Sequence, residues 1–237
     1  NKWWLGPENE AKLHAAFDKY LGKYKRERNI VLEIVFCDNE AECAKLLIDR
    51  AHEWKPDFIS IWNMNYDLKK IDEVFKKYNY DSARIFSDPA VPDVFCKWKY
   101  KEGKTQKVTQ SGKTTGLHPA DRWHIAECPA SFYFIDAMCL YKRIRLAAGM
   151  VSSYSLDATL KRHLGIGKLN FADVDKLNGT AWHKEMQTSY RVEYCIYNIF
   201  DNIGQELLDE KTGDINKSFT ALVGVSDFDK FNSNPRR

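Results

Sequence analysis

The sequence predicts an α/β fold, with strands covered by helices, on three observations. Apolar runs of strand character, "NIVLEIVF" (29–36) and "DFISI" (57–61), alternate with stretches of helical periodicity. The order strand, helix, strand, helix places helices against a sheet. The second run ends in "WNMNYD" (62–67), which puts polar side chains at the carboxyl end of a strand, where ligands gather in open α/β sheets.

Taken in order, residues 7–23 read as a helix with Pro7 near its start, and 29–36 as the first strand. The amphipathic stretch 38–54 is a helix capped by Asp38 or Asn39. Asn39 followed by Glu42 resembles a capping box with Asn in place of Ser or Thr. A strand at 57–62 and a helix at 68–78 follow. Residues 87–130 then change character and hold four of the seven prolines. Within them "VFCKWKY" and "KVTQ" flank "KEGKTQ", a pattern for a solvated β-hairpin with basic edges. Residues 88–130 are therefore expected to be an insertion on the domain. "SFYFIDAMCLYKRI" (131–144) returns to strand and helix. "SYSLDATLKRHLG" (153–165) is a short helix capped by Ser153 or Ser155 and stopped by Gly165. A long helix is expected from about Trp182 to Asp209, with Val192, Ile196, Ile199, Ile203 and Leu207 as its apolar stripe.

The 237 residues are 44% hydrophobic and 29% charged, the composition of an ordinary globular protein with ample core. A net charge of +3 does not by itself announce nucleic acid. The six cysteines are scattered and lie mostly in apolar runs, which suits reduced thiols in a cytosol-like compartment. No apolar run approaches the ~20 residues of a membrane span and no signal peptide is visible, so no membrane partner is expected. The chain starts with Asn1, and is expected to begin inside a longer product.

Two aspartates call for a cation or a donor. On the long helix Tyr190, Tyr194, Tyr197, Asp201 and Gly204 form a second stripe, with Tyr197 and Asp201 four apart on one face. An aspartate beside a buried stripe is costly unless paired. Asp67 poses the same question at a strand end, and two such aspartates could hold divalent cations through oxygen. Each also has a plain reading: Asp67 as the cap of helix 68–78, and Asp201 as a solvated helix residue.

The ordered set of motifs resembles the exonuclease domain of family B DNA polymerases, nearest to the phage, T-even-like type. "IWNMNYDLKKI" looks like the second exonuclease motif and "YNIFD" (197–201) like the third, Tyr-x3-Asp. Between them, "FIDAMCLYK" (134–142) resembles the family's intervening strand and helix. "YSLDATL" (154–160) resembles its Ser-Leu motif and "GIGKLNF" (165–171) its Lys-x2-hydrophobic motif, all in the family's order over about residues 30–215. The resemblance implies an RNase H-like fold and 3′–5′ proofreading with two divalent ions, Mg2+ or Mn2+, held by four carboxylates. Asp67 and Asp201 would be metal ligands, Tyr197 would orient the attacking water or scissile phosphate, and Lys168 would neutralise the phosphate. Asn63, Tyr66, Ser155 and Leu156 would line the groove for a frayed single strand. The implied partners are the 3′ end of single-stranded DNA, primer–template DNA, the rest of a polymerase chain and a sliding clamp. The implied location is the cytoplasm, that of the host if the protein is phage-encoded. Residues 1–217 would be a partial exonuclease domain and 218–237 an extension toward the polymerase domain.

The first motif, Asp-x-Glu on a leading strand, has no match in the right place. Asp38 and Glu40 follow a strand, but the family places three strands and a helix between its first and second motifs, and this pair reads as a helix start. Amino-terminal strands are thus expected to be missing, and metal binding by this chain alone to be weak or absent. "SGKTT" (111–115) reads as a turn, because no strand leads into it and Lys107 stands where a phosphate loop needs glycine. Cys96, His118, His124 and Cys128 are too irregularly spaced for a convincing zinc site. The lysines of 97–113 read as a solvated face, with contact to DNA as the alternative. Two other functions stay open: a catalytically silent DNA-binding or interaction module of the same fold, and a free-standing nuclease of the wider four-carboxylate (DEDD) superfamily.

Overall fold

The computed structural model describes residues 6–171, 174, 176–177 and 179–217; the expected extension 218–237 lies outside them. The elements are α1 (Glu10–Arg28), α2 (Glu40–Trp54), β1 (Phe58–Ile61), α3 (Met64–Lys77), α4 (Ser82–Phe86), β2 (Lys99–Lys101), β3 (Gln106–Val108), β4 (Thr114–Gly116), β5 (Ile125–Glu127), β6 (Tyr133–Asp136), α5 (Ala137–Ile144), α6 (Leu156–Leu164), α7 (Gly179–Ser189) and α8 (Arg191–Thr212). The protein is mixed α/β, with small sheets and predominant helix. The contacts divide the described residues into two compact units, those of 6–37 with 156–211 and those of 38–155 with 212–217.

The second unit is built on a parallel pair, β1 with β6, in register from Phe58↔Tyr133 to Ile61↔Asp136. Each strand turns directly into a helix, β1 into α3 and β6 into α5. Two helix N-termini therefore sit at one end of the pair, each with amides that lack a partner within the helix. Asp136 meets both. One carboxylate oxygen accepts from Cys139 N at 2.9 Å and the other from Met64 N at 3.2 Å. The residue is 2% exposed, and burial pushes its carboxyl up to about 6 against those two amides. α2 is capped locally, with Asn39 Oδ1 accepting from the Ala41 and Glu42 amides. The expected reciprocal bond forms one residue early, from Asp38 N to Glu42.

The apolar faces of α2, α3 and α4 close over Phe132 and Phe134. Phe86, fully buried, stacks on Trp98 at 3.7 Å and meets Phe134 edge-on at 5.9 Å. A part-buried ion pair, Lys142 to Asp121 at 2.5 Å, fixes the turn at 119–121 on α5. In the first unit Ile196, Phe200, Ile203 and Leu208 of α8 are buried. Gly204 lets α6 approach, since a Cβ there would stand 2.9 Å from Leu160 Cδ1.

Several expectations are corrected. Residues 29–36 do not form a strand. After the left-handed turn at Asn29, Val31, Glu33 and Val35 are exposed and the even positions half-buried, and no ladder forms. β-Branched propensity expresses fit to a neighbouring pleated surface, and no described strand pairs with this run. α1 continues to Arg28 instead of stopping at 23. α3 begins at Met64, so Asp67 lies in the first turn of a helix rather than at a strand end or a cap.

The helix expected from 182 to 209 is two helices parted at Tyr190. The Thr188 hydroxyl bonds the Lys184 and Glu185 carbonyls, a back-bonding that bends helices. In the insertion, β2 pairs with β5, and β3 with β4, instead of the expected pairing across "KEGKTQ". Gly112 at φ +78 and Thr109, bonded to Lys113 through backbone and side chain, close the β3–β4 turn. "SGKTT" spans the end of this turn and the start of β4. Trp98 and Tyr100 of the insertion pack on the core, so it is not a purely solvated appendage.

Asp136 gives a pH signature. Its folded value, about 6, is raised above the ordinary 3.8, so its contribution to stability is full below about 3.8 and lost as pH rises through about 6. Asp136→Asn cannot titrate. Measured by urea denaturation, wild-type stability should therefore fall relative to Asp136→Asn by up to about 3 kcal/mol between pH 4 and 7. Parallel curves for the two proteins would refute the assignment.

Candidate functional site

The tightest polar constellation near the predicted residues lies in the first unit, on one face of α8. Tyr197 and Asp201 sit one turn apart, as their spacing requires. After α6 ends, Gly165 at φ +66 turns the chain and the 165–171 connection delivers Lys168 to that face. Lys168 Nζ stands 2.7 Å from Tyr197 Oη and 2.6 Å from Asp201 Oδ2, and 4.6 Å from the centroid of the Tyr197 ring.

Both members of the ion pair are about a quarter exposed. Burial works against the Lys168 charge, but the bonds from Asp201 and Tyr197 outweigh it and hold the ammonium protonated, its value raised. Burial likewise raises Asp201, with Lys168 opposing and the neighbouring Asp157 charge adding to the rise. The Tyr197 hydroxyl is also raised, chiefly by burial, and so stays a proton donor at neutral pH. The second Asp201 oxygen, Oδ1, is buried with no hydrogen-bond partner among the described residues.

That orphaned oxygen suits a hard cation, which takes carboxylate oxygen as ligand. It is one ligand and not a full set. Among the described residues no group of three or more His, Cys, Asp or Glu side chains is gathered for a metal. The Cys and His of the insertion have local roles instead. His118 Nδ1 accepts from Ala120 N, His124 Nδ1 accepts from Gly103 N, and Arg84 Nη1 lies 2.8 Å from Cys96 Sγ.

The other predicted residues divide between the units. Asn63, Tyr66 and Asp67 lie in the second unit around the first turn of α3, where the Asn63 carbonyl accepts from the Tyr66 and Asp67 amides. Tyr66 is 64% exposed and Asp67 is exposed, a carboxylate favoured by the helix N-terminus. Ser155, also in the second unit, bonds through its amide to Ser153 Oγ. Leu156, at the start of α6, is buried and offers almost no surface to a ligand.

Sequence reasoning missed two features. The corner at Tyr190 brings Trp182 to 5.0 Å from Tyr197, whereas one continuous helix would hold those residues about 22 Å apart. Thr188 and Ser189, weak helix formers side by side, were the available signal. The second is Asp157, whose Oδ1 accepts from Lys168 N at 2.9 Å; nothing in its spacing marks a contact eleven residues away.

No protein-family model matches this chain, and no curated protein matches it. Among the described residues no helix is long and apolar enough to cross a membrane.

The pairing of Lys168 with Asp201 is testable by a double-mutant cycle. Lys168→Met strands a largely buried carboxylate, and Asp201→Asn relieves it. The coupling read from urea denaturation should be about 1–2 kcal/mol, between exposed and fully buried pairs. A coupling near zero would mean that the ammonium does not hold Asp201.

Proposed function

We propose that this chain carries the 3′–5′ proofreading exonuclease domain of a family B DNA polymerase, of the phage, T-even-like type, on an RNase H-like fold. It would remove 3′-terminal nucleotides from single-stranded primer ends. One observation carries the reading. Lys168 and the Tyr197–Asp201 pair, from separate elements, share hydrogen bonds of 2.6 and 2.7 Å, and the motif resemblance assigns all three to one reaction centre.

In this reading Asp201, through its orphaned Oδ1, and Asp67 hold divalent ions, Mg2+ or Mn2+, which supply an activated water and neutralise the leaving oxygen. The chain's own residues do the rest. Tyr197, protonated at neutral pH, donates from its hydroxyl to orient the water or the scissile phosphate. Lys168 brings a charged ammonium on a flexible stem to the phosphate. Asn63, Tyr66, Ser155 and Leu156 are the residues the resemblance assigns to the frayed strand. Primer–template DNA, the remainder of a polymerase chain and a sliding clamp are the partners, in the cytoplasm, that of the host if the protein is phage-encoded. Residues 1–217 form the nuclease part, with 88–130 inserted.

A second reading has one observation in its favour. Lys168 already neutralises Asp201. A DNA-binding module of the same fold without catalysis needs no more than that.

The experiment is digestion of a 5′-labelled single strand in Mg2+ or Mn2+. With two of four family carboxylates matched, the 237-residue chain is expected to show little or no digestion. A longer polypeptide that supplies an upstream Asp-x-Glu strand should degrade the strand from its 3′ end, and Asp201→Ala should abolish this. Binding without digestion by that longer polypeptide would establish the silent module. Robust digestion by the 237-residue chain itself would reassign the first motif, with Asp38 and Glu40 the first residues to replace.

A further inference from the structure

Asp157 has no role in the reading above, yet it fixes the backbone from which Lys168 projects. Its Oδ1 accepts the Lys168 amide at 2.9 Å, and its Oδ2 takes Lys161 Nζ at 2.8 Å. Gly167 lies flat against this pair. A Cβ there would stand 2.8 Å from Lys161 Cε and 3.3 Å from Asp157 Oδ1. Lys168 is thereby held at two ends, its amide by α6 and its ammonium by α8.

A carboxylate in the first turn of a helix needs no function, since the helix N-terminus favours it. That explanation accounts for an acid at position 157. It does not account for an acceptor spent on a loop amide eleven residues on, with a glycine between them that leaves the contact no room for a side chain.

We propose that Asp157 is a positioning residue for Lys168, setting how far its ammonium reaches toward the phosphate of a bound single strand. The functional half of this rests on the exonuclease reading; the positioning half does not. Asp157 itself touches no phosphate. It acts through one hydrogen bond, so the amide of Asn at that position, which keeps an acceptor oxygen, should serve nearly as well.

Two measurements on the 237-residue chain separate the halves. The first is the acetylation rate of each lysine, read by mass spectrometry. Asp157→Ala should raise the rate at Lys168 about tenfold, the scale of losing a hydrogen bond to a charged group. The exposed hairpin residues Lys107 and Lys113 should not change, and Asp157→Asn should stay close to wild type. Gly167→Val, which pushes the loop off Asp157 without altering it, should act as Asp157→Ala does and covers the case in which that variant fails to fold. Unchanged Lys168 reactivity in a folded Asp157→Ala or Gly167→Val protein overturns the proposal, as does an Asp157→Asn protein as reactive as Asp157→Ala.

The second is affinity for a single-stranded thymidine oligomer. Asp157→Ala should weaken it, and Asp157→Ala combined with Lys168→Met should be no weaker than Lys168→Met alone. Additive losses would make Asp157 merely structural and overturn the proposal. A wild-type chain that binds no oligomer counts against the exonuclease reading, and the acetylation rates still decide the positioning role.

Discussion

Two parallel strands ending side by side, each running straight into a helix, create the constraint on which the second unit depends. Their helices present unpartnered amides at one place, away from water. A buried amide without an acceptor costs about 1–3 kcal/mol, and here at least two are at stake, Met64 N and Cys139 N. Asp136 answers both with one carboxylate. Even with those amides opposing, burial leaves its charged form disfavoured by a net of about 3 kcal/mol, the free energy behind a carboxyl raised from 3.8 to about 6. Leaving both amides without an acceptor would cost a comparable amount or more, so the bridge holds. It also locks the register, because Asp136 lies opposite Ile61 and reaches the helix that follows it.

From that bridge the legibility of the fold can be judged element by element. What was readable was local. Asn39 caps α2 and Gly165 ends α6, and both depend on neighbours within a few residues. What failed was non-local. "NIVLEIVF" has every strand credential and forms no ladder, because a strand needs a partner that its own residues cannot name. The expected pairing across "KEGKTQ" failed for a related reason. Gly103 packs its backbone against Trp123, where a Cβ would stand 2.5 Å from the carbonyl oxygen, so the chain near β2 is held by the returning segment rather than by a local turn. The break at Tyr190 is an intermediate case: a local cause, the Thr188 hydroxyl, hidden inside an apolar stripe of correct period.

The candidate site divides in the same way. Helical spacing alone puts Tyr197 and Asp201 on one face. Lys168, about thirty residues earlier, entered only through the order of motifs, since no periodicity links a loop lysine to a distant helix. Asp157 was invisible even so: its side chain serves a backbone amide eleven residues on, and a contact at that distance has no sequence signature. Asp136 was invisible for the same reason. Residues that hold the main chain within a turn leave patterns, as Asn39 does, and those that hold it across a loop or between elements do not.

The two-ended hold on Lys168 also bears on how one lysine could serve both readings of the site. Asp201 has Oδ1 left for an ion while Oδ2 holds the ammonium, so in an active centre Lys168 leaves Oδ2 only in order to reach a phosphate. If its backbone had to move as well, leaving would cost the packing of the 165–171 connection. It need not move, because the amide is fixed separately by Asp157 and the bond to Asp201 lies at the far end of a four-carbon stem. The ammonium can then swing from carboxylate to phosphate at the expense of one partly exposed ion pair, a modest term beside the charge a metal-bound phosphate offers in return. A module that never binds metal would lack that compensation and keep Lys168 on Asp201 throughout. The same contact is therefore a resting state in one case and a permanent structural tie in the other, and what distinguishes them is whether a stronger anion arrives within reach of the stem.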